Sequence, residues 1–201
     1  MASILKLVAV GRAPIVVVPG GGTFADAVRK AQSELKFSDA AAHRMAMLAM
    51  HQMGLLLADL NPRLVPVETL ASLRRAIAGA KVPVWLPLKL AAGDKRIPAD
   101  WSVTSDGLAA RLAERLRGAT VVLVKSCQVP PGATLAGLVQ MGVVDPTFAA
   151  IVERAHLPWR VLGAGREGEL AELLSAETGR TDLLRDPGRR EAPAHAIARR
   201  R

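Results

Sequence analysis

The chain has no tyrosine and a single cysteine, Cys127, and aromatic residues make up 3% of its 201 positions. One cysteine excludes a disulfide within the chain, which suits a reducing compartment, and a cytoplasmic protein is expected. With so few aromatics, the core must be built from Leu, Val, Ala and Met. No Lys/Arg stripe is interleaved with aromatics, so nucleic acid is not an expected partner. Residues 1–10 lack the apolar segment and cleavage site of a secretory leader. The longest apolar run falls within 40–60, where His43, Arg44, His51 and Gln52 interrupt it, which argues against a membrane span.

What is present is an apolar half and a net charge of +9. The length suffices for one substantial domain. Much of the charge lies at the end, where residues 180–201 hold seven arginines against Asp182, Asp186 and Glu191. That segment reads as a solvated or disordered basic tail. Residues 1–179 read as a single domain.

The most informative stretch runs from Pro14 to Val28. Ile15–Pro19 is apolar and β-branched, as in a strand buried on both faces. Gly20, Gly21 and Gly22 then turn the chain, Thr23 is a candidate N-cap, and the run from Phe24 to Leu35 has the composition of an amphipathic helix. Strand, glycine turn and helix start together make a place where free N–H groups and the positive helix end can meet an anion. Three readings stand: a phosphate loop, a tight turn with only a structural role, and a loose dinucleotide fingerprint. The last also needs an acid at the end of the next strand. Asp39 is near the right distance, but it opens a helical run behind Ser38.

Further along, Ser38 and Asp39 predict the cap and first turn of a long helix ending near Leu60, where Asn61 and Pro62 stop it. His43 and His51 share one face of that helix without a third ligand nearby, so ordinary packing outweighs metal binding. A helix is expected over 68–78 and an apolar strand over 82–86. A loop is expected over 88–100, then a helix opened by Ser102 or Thr104 and running through Leu116. Another buried strand is expected at 120–124. Short helices near 135–140 and 146–155, an edge strand at 160–162 and a helix at 167–174 complete the pattern. Strands alternating with helices predict an α/β fold, a three-layer αβα sandwich with a mostly parallel central sheet. Ligands of such sheets bind beyond the carboxyl ends of the strands. The glycine turn, the loop before Trp101 and Lys125–Cys127 all lie at such ends.

Polar groups on that rim are few. Thr104, Ser105 and Asp106 stand at a helix start, where hydroxyls and N–H groups can hold an anion and Asp106 can orient a lysine or hold Mg²⁺. Helix starts favour these residue types anyway, so a plain N-terminus stands beside the functional reading. Lys125 directly follows a buried strand, well placed for a phosphate. Cys127 has no neighbouring base to activate it.

Five segments in order carry a resemblance. They are Val16-Val-Val-Pro-Gly-Gly-Gly-Thr-Phe-Ala-Asp26, Ser38-Asp-Ala-Ala-Ala-His43, Pro83-Val-Trp-Leu-Pro87, Trp101-Ser-Val-Thr-Ser-Asp106 and Leu123-Val-Lys-Ser126. Over roughly 10–165 the chain resembles the amino acid kinase superfamily, on the small branch that phosphorylates aminomethylfuran phosphate in methanofuran biosynthesis. The resemblance implies transfer of the γ-phosphoryl group of ATP, with Mg²⁺, onto a small phosphorylated acceptor in one-carbon cofactor biosynthesis. It assigns Gly20, Gly21 and Gly22 to the acceptor's phosphate and places Asp26 in the same motif. It puts Thr104 and Ser105 on the acceptor side, Asp106 as organiser of catalytic lysines, and Lys125 at the nucleotide phosphates. A homo-oligomer is expected.

Departures accompany the resemblance. The family's opening Lys-x-Gly-Gly-Ser strand has no counterpart: Lys6 is followed by Leu-Val-Ala, and residues 1–11 resemble the end of the helix that should follow that strand. Cys127-Gln128 replaces an Asp-Gly pair, and Ser102 stands where relatives tend to carry Asp. Weak phosphoryl transfer by residues 1–201 is therefore one expectation. A kinase-fold homologue that only binds a ligand or a partner subunit is the alternative.

Overall fold

Residues 2–11, 13–117 and 119–175 are described by the computed structural model. After α1 (Ala2–Val10) and an extended passage come α2 (Gly22–Leu35), α3 (Asp39–Leu60), β1 (Leu64–Val67), α4 (Leu70–Ala78), β2 (Val82–Trp85) and α5 (Leu88–Ala91). The second part contains α6 (Ser105–Leu116), β3 (Val121–Val124), α7 (Leu135–Gln140), α8 (Pro146–Arg154), β4 (Trp159–Leu162) and α9 (Glu167–Ser175). The expected basic tail falls outside the described residues.

Among the described residues all strand pairing is parallel, as the alternation of strands and helices predicts. β1 lies beside β2 with Leu64 opposite Val82, and β3 beside β4 with Val121 opposite Trp159. The parallel α/β fold is thus as expected, but the ladders form two pairs instead of one continuous run. The expected strand over Ile15–Pro19 shrinks to one bridge, Val17 to Val84, in which the Val17 N–H donates to the Pro83 carbonyl and the Trp85 N–H to Val17. Pro14 and Pro19 bracket that segment without N–H groups, which limits how far a ladder can extend.

Each strand is covered according to its alternation. Val82 and Val84 face a cluster with Val8, Leu57 and Leu64, whereas Trp85 faces one with Met47, Met50, Val67, Leu73, Leu108 and Leu112. β2 is therefore buried on both faces, with helices on each side. Around β3, Val121 and Leu123 pack against Ala110, Leu138, Phe148 and Ile151. Phe148 is the single fully buried phenyl ring, and its edge meets the ring of Trp159 at 6.3 Å between centroids. Beyond Trp85 and Phe148, aliphatic side chains and methionines supply the core, as the scarcity of aromatics requires.

Candidate functional site

The glycine turn and the start of α6 meet beyond the strand ends. α2 opens at Gly22 with Gly21 as its N-cap, and Gly21 has no side chain to cap the helix. This corrects the expectation that Thr23 caps it: the helix begins two residues early, at Gly22, whose φ of +50 only a glycine adopts readily. The leading N–H groups of α2 thus lack a side-chain partner, which is the arrangement that favours an anion. Gly21 and Gly22 are tightly placed. A Cβ on Gly21 would lie 2.5 Å from that of Ala25, and one on Gly22 2.7 Å from Met53 Cε on α3. A Cβ on Gly20 would point at Ser105 Oγ, 3.7 Å away. Gly20 therefore borders the first residue of α6, and the turn and that helix start share one rim.

The α6 start is built differently. Thr104 is its N-cap, its hydroxyl accepting from the Asp106 N–H. Most of the remaining local donors go to Asp145, the N-cap of α8. Its Oδ2 accepts from Thr104 N–H at 2.8 Å, Thr104 Oγ1 at 2.7 Å and Gly107 N–H at 2.9 Å, while Oδ1 accepts from Phe148 N–H at 2.6 Å. Gly107 is needed here for space, since a Cβ would come within 2.9 Å of Asp145 Oδ1. Asp145 escaped the sequence reading. Asp145-Pro146 does read as a helix start, but nothing in the sequence signals its reach to residue 104. Thr104 is consequently engaged with Asp145.

In the first turn of α6, buried Asp106 receives Lys125 Nζ at 2.5 Å from the end of β3. The carboxyl of Asp106 is pushed above the ordinary carboxylate range by burial, opposed by the Lys125 ammonium and reinforced by the neighbouring Asp145. Among the described residues Lys125 is its one ion-pair partner. The structure thus brings together Gly20 with Ser105, Thr104 with Asp145, and Asp106 with Lys125. Asp26 stands apart, exposed and paired with Arg29 at 2.6 Å. His43 and His51 do not form a metal site: His51 Nε2 accepts from the Leu88 N–H, and burial pulls both imidazoles below their ordinary range.

Beside β3, a cavity of about 590 Å³ runs along the outer edge of β4, lined by Val129, Pro130, Trp159, Val161, Leu162 and Arg166 among others. The Lys125 N–H donates to the carbonyl of Leu162, one of the lining residues. No group of three or more metal-ligating side chains occurs among the described residues. No helix among them is long and apolar enough to cross a membrane.

The parallel α/β fold thus sets a glycine turn, an acidic helix start and a strand-end lysine on one rim. The solved uridylate kinase from Archaeoglobus fulgidus superposes with a TM-score of 0.60, at 20% identity, over 86% of this chain and 85% of that one. The [5-(aminomethyl)furan-3-yl]methyl phosphate kinase of Methanocaldococcus jannaschii is 25% identical over 173 residues, which is 81% of this chain and 80% of that protein. No protein-family profile matches the chain. The chain is thus similar in sequence to a furan phosphate kinase and shares the fold of a uridylate kinase.

Proposed function

We propose that the protein transfers the γ-phosphoryl group of ATP to a small phosphate monoester, with [5-(aminomethyl)furan-3-yl]methyl phosphate as the acceptor. The observation that carries this reading is the shared rim: a helix start with uncapped N–H groups, backed by glycines, beside the Asp106–Lys125 pair. The backbone at Gly20–Gly22 receives the acceptor's phosphate, where a side chain would obstruct it. Ser105, facing Gly20, borders the acceptor. Asp106 holds Lys125 so that its ammonium meets the charge that develops on the moving phosphoryl group. The Lys125 side chain is one-fifth exposed, so it can reach a ligand while remaining paired. The nucleotide base occupies the cavity along β4 and its phosphates extend toward Lys125. Transfer breaks the bond between the γ-phosphorus and its bridging oxygen and forms one to an acceptor phosphate oxygen, leaving ADP and a diphosphate. Such chemistry needs position and charge neutralisation, with no covalent nucleophile.

Mg²⁺ fits this site as a passenger on the nucleotide phosphates. The two buried carboxylates there, Asp106 and Asp145, are engaged with Lys125 and with four local donors and offer no protein cage. When bound, the ion supplies neutralising charge to the phosphates. The protein works away from the membrane, in the cytoplasm, as a homo-oligomer, and takes no nucleic acid.

One observation favours a second reading. Asp106 meets a single described cation, whereas the resemblance gives that aspartate several lysines to organise. A homologue that binds the phosphorylated ligand without turning it over fits this poorer charge set. An ADP-release assay separates the two, using ATP, Mg²⁺ and the furan phosphate, with uridylate as the comparison acceptor. Release that requires the furan phosphate supports the proposal. Release with uridylate alone moves the acceptor to a nucleotide. Calorimetric binding of the furan phosphate without any ADP supports the ligand-binding homologue.

A further inference from the structure

A second cleft, of about 370 Å³, is lined by Lys89 and Leu90 from α5, Gly93 and Asp94 from the loop after it, and Arg111 and Arg115 from α6. Three of these six residues are cations, against one carboxylate. Arg111 and Arg115 follow Asp106 by five and nine residues. At 1.5 Å per residue they stand about 7 and 13 Å along the helix from it. The cleft is therefore separate from the rim described above.

The carboxylates nearby are already engaged. Asp94 Oδ2 accepts from Arg111 Nε at 2.7 Å, and Oδ1 accepts from Arg111 Nη2 at 3.2 Å and from the Arg96 N–H at 3.1 Å. Glu114 accepts from Arg111 Nη1, from Arg154 Nη2 and from Arg96 Nη1. The Arg111 and Asp94 side chains are 13% and 7% exposed, so the guanidinium is held in one orientation in a partly desolvated place. Lys89, by contrast, forms no ion pair among the described residues, and Arg115 has only a 3.7 Å approach to Asp94 there. Lys89, Arg96, Arg111, Arg115 and Arg154 thus stand against two carboxylates, and the two least compensated cations line the same cleft as the fixed guanidinium. Like charges gathered where water is partly excluded repel one another, and an anion among them removes that cost.

We propose that this cleft binds a small dianion of the phosphate type, held by Lys89 from α5 and by Arg111 and Arg115 from α6. Charge and donor geometry both select it. Three lining cations against one carboxylate match two negative charges. A tetrahedral dianion offers several oxygens to donors arriving from different directions, and guanidinium and ammonium groups are the side chains that suit them. The bound ion ties α5 to the later turns of α6 across the loop 92–104, whose last residue, Thr104, caps α6 at the rim. It thereby braces the strap that leads into the glycine-turn side of the molecule. The inference stands on the charge set of the cleft and does not depend on the phosphoryl-transfer reading.

Proton–nitrogen NMR of the arginine Nε–H groups in the full chain provides the test, because the Arg111 Nε–H is fixed on Asp94 and reports from within the cleft. Inorganic phosphate is titrated at constant ionic strength. The Arg111 signal should shift and saturate with a Kd below about 1 mM. Lys89 and Arg115 are exposed, so Lys89→Ala and Arg115→Ala should each keep the far-UV circular dichroism while weakening that Kd about tenfold. Gly20→Val, at the rim, should leave it unchanged. Methyl phosphate, titrated in the same way, identifies the source. Equal affinity points to the phosphate end of an ester and loss of binding to the free ion, and either supports the site. A shift that grows without saturating would overturn the proposal. So would a saturating shift that both Lys89→Ala and Arg115→Ala leave untouched, or one that Gly20→Val abolishes, because the anion would then sit at the rim.

Discussion

Asp145→Ala should be among the most damaging single substitutions near the rim. The carboxylate accepts four hydrogen bonds, from Thr104 N–H, Thr104 Oγ1, Gly107 N–H and Phe148 N–H. Loss of the cap on α8 costs about 1 kcal/mol. The Gly107 N–H is buried and the Thr104 N–H partly so, and each orphaned donor adds about 1–3 kcal/mol. Water entering the space left by the carboxylate recovers part of that, so a total of about 3–4 kcal/mol is expected. Asp145→Asn keeps one acceptor but turns an NH₂ group toward a donor, and should cost about half as much. Urea unfolding followed by circular dichroism measures both, with an unchanged m-value showing that the folded state is otherwise intact. A cost below about 1 kcal/mol for the alanine variant would refute the claim that Asp145 ties α6 to α8.

Other outcomes follow from the same geometry. Gly20→Val should leave the fold intact, because its Cβ meets only Ser105 Oγ at ordinary contact distance, yet weaken calorimetric binding of the furan phosphate about tenfold; unchanged affinity would return the turn to a structural role. Asp106→Asn should not lower stability at neutral pH. Burial raises the folded pKa above 3.8, so ionised Asp106 lowers stability progressively as pH rises through that window, and the asparagine variant should show a flatter slope there by thermal unfolding. The histidines act in the opposite sense. Burial lowers both His43 and His51 below 6.5, so their contribution is complete above that value and is lost as pH falls below it; His51→Gln, able to accept from Leu88 N–H, should reduce the loss in melting temperature between neutral and mildly acidic pH. Asp26→Ala removes one exposed ion pair and should change stability by less than about 0.5 kcal/mol in the same urea assay.

Local signals carried much of the fold. Ser38 caps α3 by accepting from the Ala41 N–H, with Asp39 in the first turn, as their types and positions predict. Thr104 caps α6, and the run of valines and leucine at 121–124 forms a strand. β1 was not anticipated, because Pro66 inside Leu64–Val67 reads as a breaker. Pro66 is tolerated because β1 is an edge strand beside β2 alone, so the missing N–H breaks no second ladder. The loop expected over 88–100 contains the single turn of α5, capped by backbone alone. The site divides along the same line. The glycine turn is local and legible. The pairing of Asp106 with Lys125 joins a helix to a strand 19 residues on; the residues suggest that Asp106 can orient a lysine and that Lys125 can meet a phosphate, but no local signal pairs the two. Asp145, 41 residues from Thr104, offered no local signal of its reach.

Phosphorus NMR on a reaction with protein at near-stoichiometric concentration tests the central claim most directly, since it detects product even from slow turnover. With ATP, Mg²⁺ and [5-(aminomethyl)furan-3-yl]methyl phosphate, the acceptor's single resonance should give way to the coupled pair of a diphosphate ester as ADP appears. Lys125→Met should slow that conversion by about 10²–10³. An acceptor resonance that stays unchanged with the wild-type protein would contradict phosphoryl transfer at this rim.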